Sequence, residues 1–151
     1  MSTKMTKAVL LVTAVMLMVV AFIRFNRATV PDEPVPVVWD REVCSHCKMH
    51  VGDPRFAAQL QTTKGEVHNF DDPGCLLEYL QSHGLSVHAL YFRNHEQDGW
   101  LSETEVGFLP ADDSPMGYGI RAVPRETPEA RDIAWAKREV AGKPHHPQGG
   151  S

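Results

Sequence analysis

A short segment of the chain concentrates side chains that bind soft metal ions. Residues 44–50 read Cys-Ser-His-Cys-Lys-Met-His, so two thiols, one thioether and two imidazoles lie within seven positions. Thiolates and thioethers favour copper(I), whereas a thioether contributes little to zinc, calcium or magnesium sites. In a tight loop, Cys44 and Cys47 can converge on one ion and Met49 can reach the same side. The segment therefore predicts a copper(I) site with these three residues as ligands.

Three other interpretations of the Cys-x-x-Cys pair remain open. Such a pair is a redox dithiol in many proteins, but there it normally opens a helix, and the Gly-Asp-Pro sequence at 52–54 predicts a turn instead. The pair can also be half of a structural zinc site, completed by His50, His68 or Cys75. Finally, the two cysteines can form a disulfide. Met49 favours copper over these alternatives.

Further candidate ligands lie outside this segment. Met116 stands in a polar Ser-Pro-Met-Gly turn at 114–117, and we expect it to be an additional soft ligand. Cys75, near the start of a predicted helix, can join the site, but an inert buried thiol is favoured. His68 is expected to be an ordinary strand histidine, and the His145–His146 pair is expected to lie in a solvated tail.

The N-terminal segment differs in kind from the rest of the chain. Residues 8–23 contain no charge, glycine or proline and have two basic residues on each side. As a helix they would span about 24 Å, so crossing a hydrocarbon core of about 30 Å requires Arg24 to snorkel outward. A small-residue cleavage site does not follow the apolar run, which favours an uncleaved transmembrane helix over a signal peptide. We predict an inner-membrane protein whose domain faces the periplasm or another extracytoplasmic side.

The charge of the remaining chain limits its partners and its chemistry. Residues 1–27 contain four basic residues and no acidic residue. Because the whole chain has a net charge of −4, residues 28–151 have a net charge of −8. A domain this acidic is a poor nucleic-acid binder and suits a cation or a basic partner. A serine or carboxylate dyad with a convincing partner is missing from the sequence, so we predict that the protein is not an enzyme.

The patterns along the chain divide it into four parts. These are a membrane anchor at 1–27, a proline-rich linker at 28–37 that should act as an extended spacer, a domain at 38–141, and a disordered tail at 142–151. Strands are predicted at 56–61, 66–70, 87–92, 100–109 and 117–123. One helix should follow the Asp71-Asp72 pair, and another should span 128–140 with Thr127 as its cap. The sequence therefore predicts an α+β fold with two related ββα-type units in one small domain.

Together these motifs resemble the NosL family of nitrous-oxide reductase accessory proteins. The resemblance rests on Asp-x-x-x-Cys-x-x-Cys-x-Met at 40–49, on a hairpin leading to Phe-Asp-Asp at 70–72, and on the Met-Gly turn at 114–117. It covers residues 38–143 in order and spacing. The chain departs from the family in its predicted transmembrane anchor, because family members are typically lipoproteins, and in Lys48, where glycine is common.

The resemblance implies a pair of ββα-type units that bind copper(I) and deliver it to a cuproenzyme such as nitrous-oxide reductase. It assigns the metal to Cys44, Cys47, Met49 and Met116. The alternatives are an envelope thiol-disulfide oxidoreductase that uses Cys44 and Cys47, and a zinc-stabilised interaction domain.

Overall fold

The chain folds into antiparallel sheets with helices packed against them. In the computed structural model, residues 3–25 and 30–143 are described. The elements within these residues are α1 (Thr3–Phe25), β1 (Ala58–Thr62), β2 (Val67–Phe70), α2 (Pro73–Ser82), β3 (Val87–Arg93), β4 (Trp100–Ser102), β5 (Val106–Pro110), β6 (Ile120–Pro124) and α3 (Ile133–Ala141).

The element order repeats the predicted strand-strand-helix pattern. β2, β1, β3 and β4 form one sheet in that order, while β5 and β6 form a separate hairpin. The successions β1-β2-α2 and β5-β6-α3 are the two units, and α2 lies against β1, β2, β6 and α3. The α+β class is therefore confirmed.

One face of the main sheet forms the hydrophobic core. Side chains alternate between the two faces of a strand, and Leu60, Phe70 and Phe92 are fully buried with Leu76 and Leu77 of α2. Each such side chain contributes roughly 1.5–3 kcal/mol on burial. This packing fixes the position of α2 relative to the sheet.

The other face of β1 is covered by the proline-rich segment. Gln59 and Gln61 are 0% exposed because residues 32–37, which we call the strap, lie over them. The Gln59 amide accepts from the Val35 N–H (2.8 Å) and donates to the Val35 carbonyl (2.9 Å). Gln61 donates to the Glu33 carbonyl (2.8 Å). The strap is not a free spacer, since the buried glutamines hold its backbone.

Helix α1 agrees with the helix predicted for the N-terminal segment. Its large apolar side chains between Val9 and Ile23 are exposed. Within residues 3–25 and 30–143, no helix combines the length and apolarity needed to cross a membrane. The helix is therefore confirmed, whereas its predicted transmembrane character is not.

The strand predicted at 100–109 is interrupted by a turn. Ser102 and Glu105 close this turn, because the Glu105 carboxylate accepts from the Ser102 N–H (3.0 Å) and hydroxyl (2.7 Å). The result is two strands, β4 and β5, that belong to different sheets. The prediction of one continuous strand is wrong.

The second helix starts later than predicted. Thr127 accepts from the Ala130 N–H (3.0 Å) in a turn, and Arg131 pairs with Phe108 of β5 in an antiparallel bridge. This pairing keeps residues 128–131 out of the helix. The cap is Asp132, which accepts from the Trp135 N–H (2.8 Å), and the prediction of Thr127 as cap is wrong.

The domain continues past the boundary predicted at residue 141. Gly142 caps α3 and Lys143 donates from Nζ to the Tyr118 carbonyl (2.6 Å). The rest of the predicted tail, with His145 and His146, lies outside the described residues, as do residues 26–29 between α1 and the strap.

Candidate metal centre

The Cys-x-x-Cys segment is a tight loop closed on itself. Val43 and His50 form an antiparallel bridge, and inside it the Cys44 N–H donates to the Met49 carbonyl (2.7 Å). The Lys48 N–H donates to the Cys44 carbonyl (3.1 Å), with Lys48 at a φ of 66°. This left-handed conformation suits glycine best. We call residues 43–50 the thiol loop.

Two hydrogen bonds seat the thiol loop against the end of β2. The Ser45 N–H donates to the Asn69 carbonyl (2.9 Å), and just after the loop the Gly52 N–H donates to Oδ1 of Asp71 (2.9 Å). Because β2 leads directly into α2, these bonds place Cys44 and Cys47 beside the first turn of that helix.

The first turn of α2 supplies the third thiol. Asp72 is the N-cap, Pro73 fits the first turn because its missing N–H is not needed there, and Cys75 follows. The Sγ atoms of Cys44, Cys47 and Cys75 all lie within 4.8 Å of one another. All three are free thiols; Cys44 and Cys75 are 0% exposed, and Cys47 is half-buried.

The Met116 turn is fastened to the same helix end. Oδ2 of Asp72 accepts from the Met116 N–H (3.2 Å) and from the Ser114 hydroxyl. The Tyr118 ring lies over Gly74, where a Cβ would meet Tyr118 Cγ at 2.1 Å. Met116 is 3% exposed and belongs to the same buried cluster as Cys44 and Cys75.

The three thiols share their protons as one unit. A hydrogen bond from the Cys47 thiol, then one from Cys75, together with bonds from the backbone N–H groups of Asp71 and Cys47, lowers the pKa of Cys44 to about 2. The hydrogen bonds with Cys44 raise the pKa of Cys47 and of Cys75. The cluster therefore loses its first proton most readily at Cys44, and an incoming metal ion would displace the protons that remain.

The carboxyl group of Asp72 holds the start of α2, which carries Cys75. Burial raises the pKa of Asp72 to about 6, while the hydrogen bonds from Ser114, Gly74 and Met116 act in the opposite direction. The start of α2 is therefore held by a buried carboxyl group that accepts hydrogen bonds from all three of these residues.

The predicted ligands are placed as follows. Cys44 and Cys47 come together, and Met116 reaches the helix end that carries Cys75. Met49 is 40% exposed on the outer side of the loop. Cys75 was expected to be an inert thiol; it is buried, but it belongs to the cluster. Its position three residues after the capping Asp72 places it in the first turn of α2, but only the seating of the thiol loop against β2 brings it to Cys44 and Cys47.

The histidines near the loop make other contacts. Nε2 of His46 lies 3.4 Å from a Glu78 carboxylate oxygen, and Nδ1 of His68 lies 3.4 Å from the Ser45 hydroxyl. Among the residues that the structure describes, the group of potential metal ligands around the three thiols contains no histidine or carboxylate. The donor set of the centre is therefore sulfur.

Comparisons with protein-family models, with curated proteins and with solved structures find no match to this chain.

Proposed function

We propose that the protein is a copper(I) metallochaperone of the cell envelope, which delivers copper to a cuproenzyme such as nitrous-oxide reductase. The single observation that carries this proposal is the all-sulfur cluster of Cys44, Cys47 and Cys75 within 4.8 Å. Soft donors select copper(I), whereas structural zinc sites usually take four nitrogen or sulfur ligands from the protein. In this proposal residues 3–25 tether the domain to the membrane.

The three thiols differ in solvent exposure in a way that suits transfer of a metal ion. Cys44 and Cys75 are sealed from solvent and hold the ion, and the half-buried Cys47 is the thiol that a partner's sulfur ligand can replace. Met49, two positions after Cys47, is exposed, so its thioether can bind the ion as it enters or leaves the site. Met116, fastened by Asp72, supplies a thioether from the buried side. The net negative charge outside the N-terminal segment would favour a partner with a basic docking surface.

The test is anaerobic competition for copper(I) between the reduced full-length protein and a chromophoric chelator. Cys44→Ser should weaken binding by more than about 100-fold, since even the loss of a hydrogen-bonding partner around a ligand typically costs 10–100-fold. Cys75→Ser should weaken it comparably. His46→Ala, which removes a neighbouring imidazole but no sulfur, is the control and should have a much smaller effect. Equal losses for Cys44→Ser and His46→Ala would refute the thiolate assignment.

One observation also favours a thiol-disulfide oxidoreductase. Cys44 lies within 4.8 Å of the half-buried Cys47, and the two thiols can form a disulfide by giving two electrons and two protons to a substrate disulfide, which leaves as two thiols. A reversible dithiol couple that is unchanged in Met116→Leu, in a protein that retains no metal, would favour this enzyme. Bound zinc in the purified protein, with unfolding by a chelator, would favour a zinc-stabilised domain.

A further inference from the structure

The thiol loop and the strap are joined through one side chain of β2. Asn69 accepts at Oδ1 from the Gln59 amide (2.8 Å), which holds the strap at Val35, and donates from Nδ2 to the Glu42 carboxylate. Its carbonyl accepts the Ser45 N–H of the thiol loop (2.9 Å). One asparagine therefore contacts the residue that grips the strap, the segment before the thiol loop, and the loop itself.

Glu42 closes this network from the other side. Its carboxylate accepts from the N–H of Val38 (2.8 Å), the residue that directly follows the strap, and its carbonyl accepts from the Val51 N–H (2.9 Å), just after the thiol loop. Glu42 and Asn69 are both half-buried, where a lost hydrogen bond leaves a polar group without a partner. The strap and the thiol loop are thus bonded to the same pair of side chains.

We infer that Asn69 is a positioning residue that couples the seating of the strap to the position of the thiol loop, so that lifting the strap opens the metal centre. The physiological meaning rests on the proposed function: a pull on the strap, for example from the segment that precedes it, would speed the release of copper through Cys47. The coupling itself is a property of the metal-free protein and can be tested without copper.

The first experiment separates the strap from the network. In reduced, metal-free, full-length protein, Gln59→Leu should speed hydrogen exchange at the Val35 amide and also at the Ser45 amide. It should raise the rate at which iodoacetamide alkylates Cys47 by about tenfold, because the loss of one hydrogen bond shifts an opening equilibrium by up to about this factor. Tyr91→Phe is the control, because it removes a bond to the strap at Asp32 (3.1 Å), at the opposite end from Asn69. It should leave Ser45 and Cys47 unchanged.

The second experiment reverses one bond of the network and then restores it. Asn69→Asp keeps the acceptor for Gln59 but places a second carboxylate beside that of Glu42, and the two repel each other. The rate of Cys47 alkylation should therefore rise while the Val35 amide stays protected from exchange. Adding Glu42→Gln supplies a donor on the other side and should return Cys47 to its original rate, which a merely structural defect would not do.

Three results would overturn the inference. The first is a freed Val35 amide in Gln59→Leu with no change at Cys47. The second is equal acceleration at buried β3 amides such as that of Leu90, which would indicate general destabilisation. The third is no recovery in the double variant. Failure of the wild-type protein to bind copper(I) would refute the proposed function alone, because none of these measurements uses the metal.

Discussion

The two ββα units start their helices in the same way but use those starts differently. In each unit an aspartate caps the helix: Asp72 accepts from the Gly74 N–H (2.7 Å) and Asp132 from the Trp135 N–H (2.8 Å). Asp72 is 0% exposed and accepts two further bonds, whereas Asp132 is exposed and accepts one. Only the first unit carries thiols at this place.

The contact between the units makes the difference. The 114–118 turn of the second unit lies over the start of α2, and Gly74 leaves room for the Tyr118 ring. The matching position in α3 is Ala134, which is exposed and covered by no such turn. A common local motif therefore becomes part of a metal centre only where a second unit buries it.

Replacing the two capping aspartates should give the largest difference in stability between the units. At pH 5 the Asp72 carboxyl is mostly neutral, since its pKa is about 6. Asp72→Ala then leaves three donors without an acceptor and should cost about 4 kcal/mol. Asp132→Ala should cost about 1 kcal/mol. Urea denaturation of both variants at that pH measures the two values, and similar costs would mean that burial of the first cap has no energetic role.

The pH dependence of stability should depend on the buried cap. Because burial raises the pKa of Asp72, the folded state binds the proton more tightly than the unfolded state does. The stabilisation is present below the ordinary aspartate pKa and decreases as pH rises from about 4 through about 6. Asp72→Asn keeps the acceptor for Gly74 without the charge, so it should remove about 2–3 kcal/mol of this decline. Denaturation midpoints at pH 4, 5, 6 and 7 would show whether the curve flattens.

The close approach of the units at Gly74 should tolerate no side chain. Gly74→Ala places a methyl group 2.1 Å from Tyr118 Cγ and should destabilise the protein by about 2 kcal/mol through overpacking. Gly84→Ala, just beyond the end of the same helix, meets nothing within 4 Å and should be neutral. Thermal unfolding of the pair provides the comparison, and a Gly74→Ala protein as stable as its control would disprove the tight contact.

The smallest effects should come from two residues with a left-handed backbone, one in the thiol loop and one in the second unit. Lys48 in the thiol loop and Glu129 in the turn before α3 share a φ of 66°. Glu129→Gly should stabilise by about 0.5–1 kcal/mol, because glycine adopts this conformation without a steric penalty. Lys48→Gly should gain less, since it also loses the bond from Nζ to the Ser45 carbonyl (2.6 Å). Chemical denaturation would show which variant gains more stability, and a larger gain for Lys48→Gly than for Glu129→Gly would contradict this prediction.

The parts of the molecule that depend on nearby residues were predictable. The β1-β2 hairpin, the Asp72 cap and the loop around Cys44 and Cys47 all follow from turn and capping residues within a few positions. Cys75 was undervalued because its place in the cluster depends on how the thiol loop is seated against β2, which no local pattern encodes. Whether Met49 and Met116 act as ligands stays a prediction.

Two errors have the same long-range origin. The strap looked like a free linker because nothing in its prolines reveals that Gln59 and Gln61 would face it from β1. Thr127 followed by Pro128 had the composition of a helix start, but the pairing of Arg131 with β5 delays the helix until Asp132. Tertiary contacts overrode local propensity in both cases.

Cys75 lies 28 positions after Cys47, on a different element. A chain that is unfinished or misfolded therefore presents a pair of neighbouring thiols where the completed domain presents three. If the ion prefers the trio, its uptake adds to the stability of correctly folded copies alone, by an amount that grows with the concentration of free ion. Occupancy would then distinguish correctly folded copies, because defective copies would stay empty.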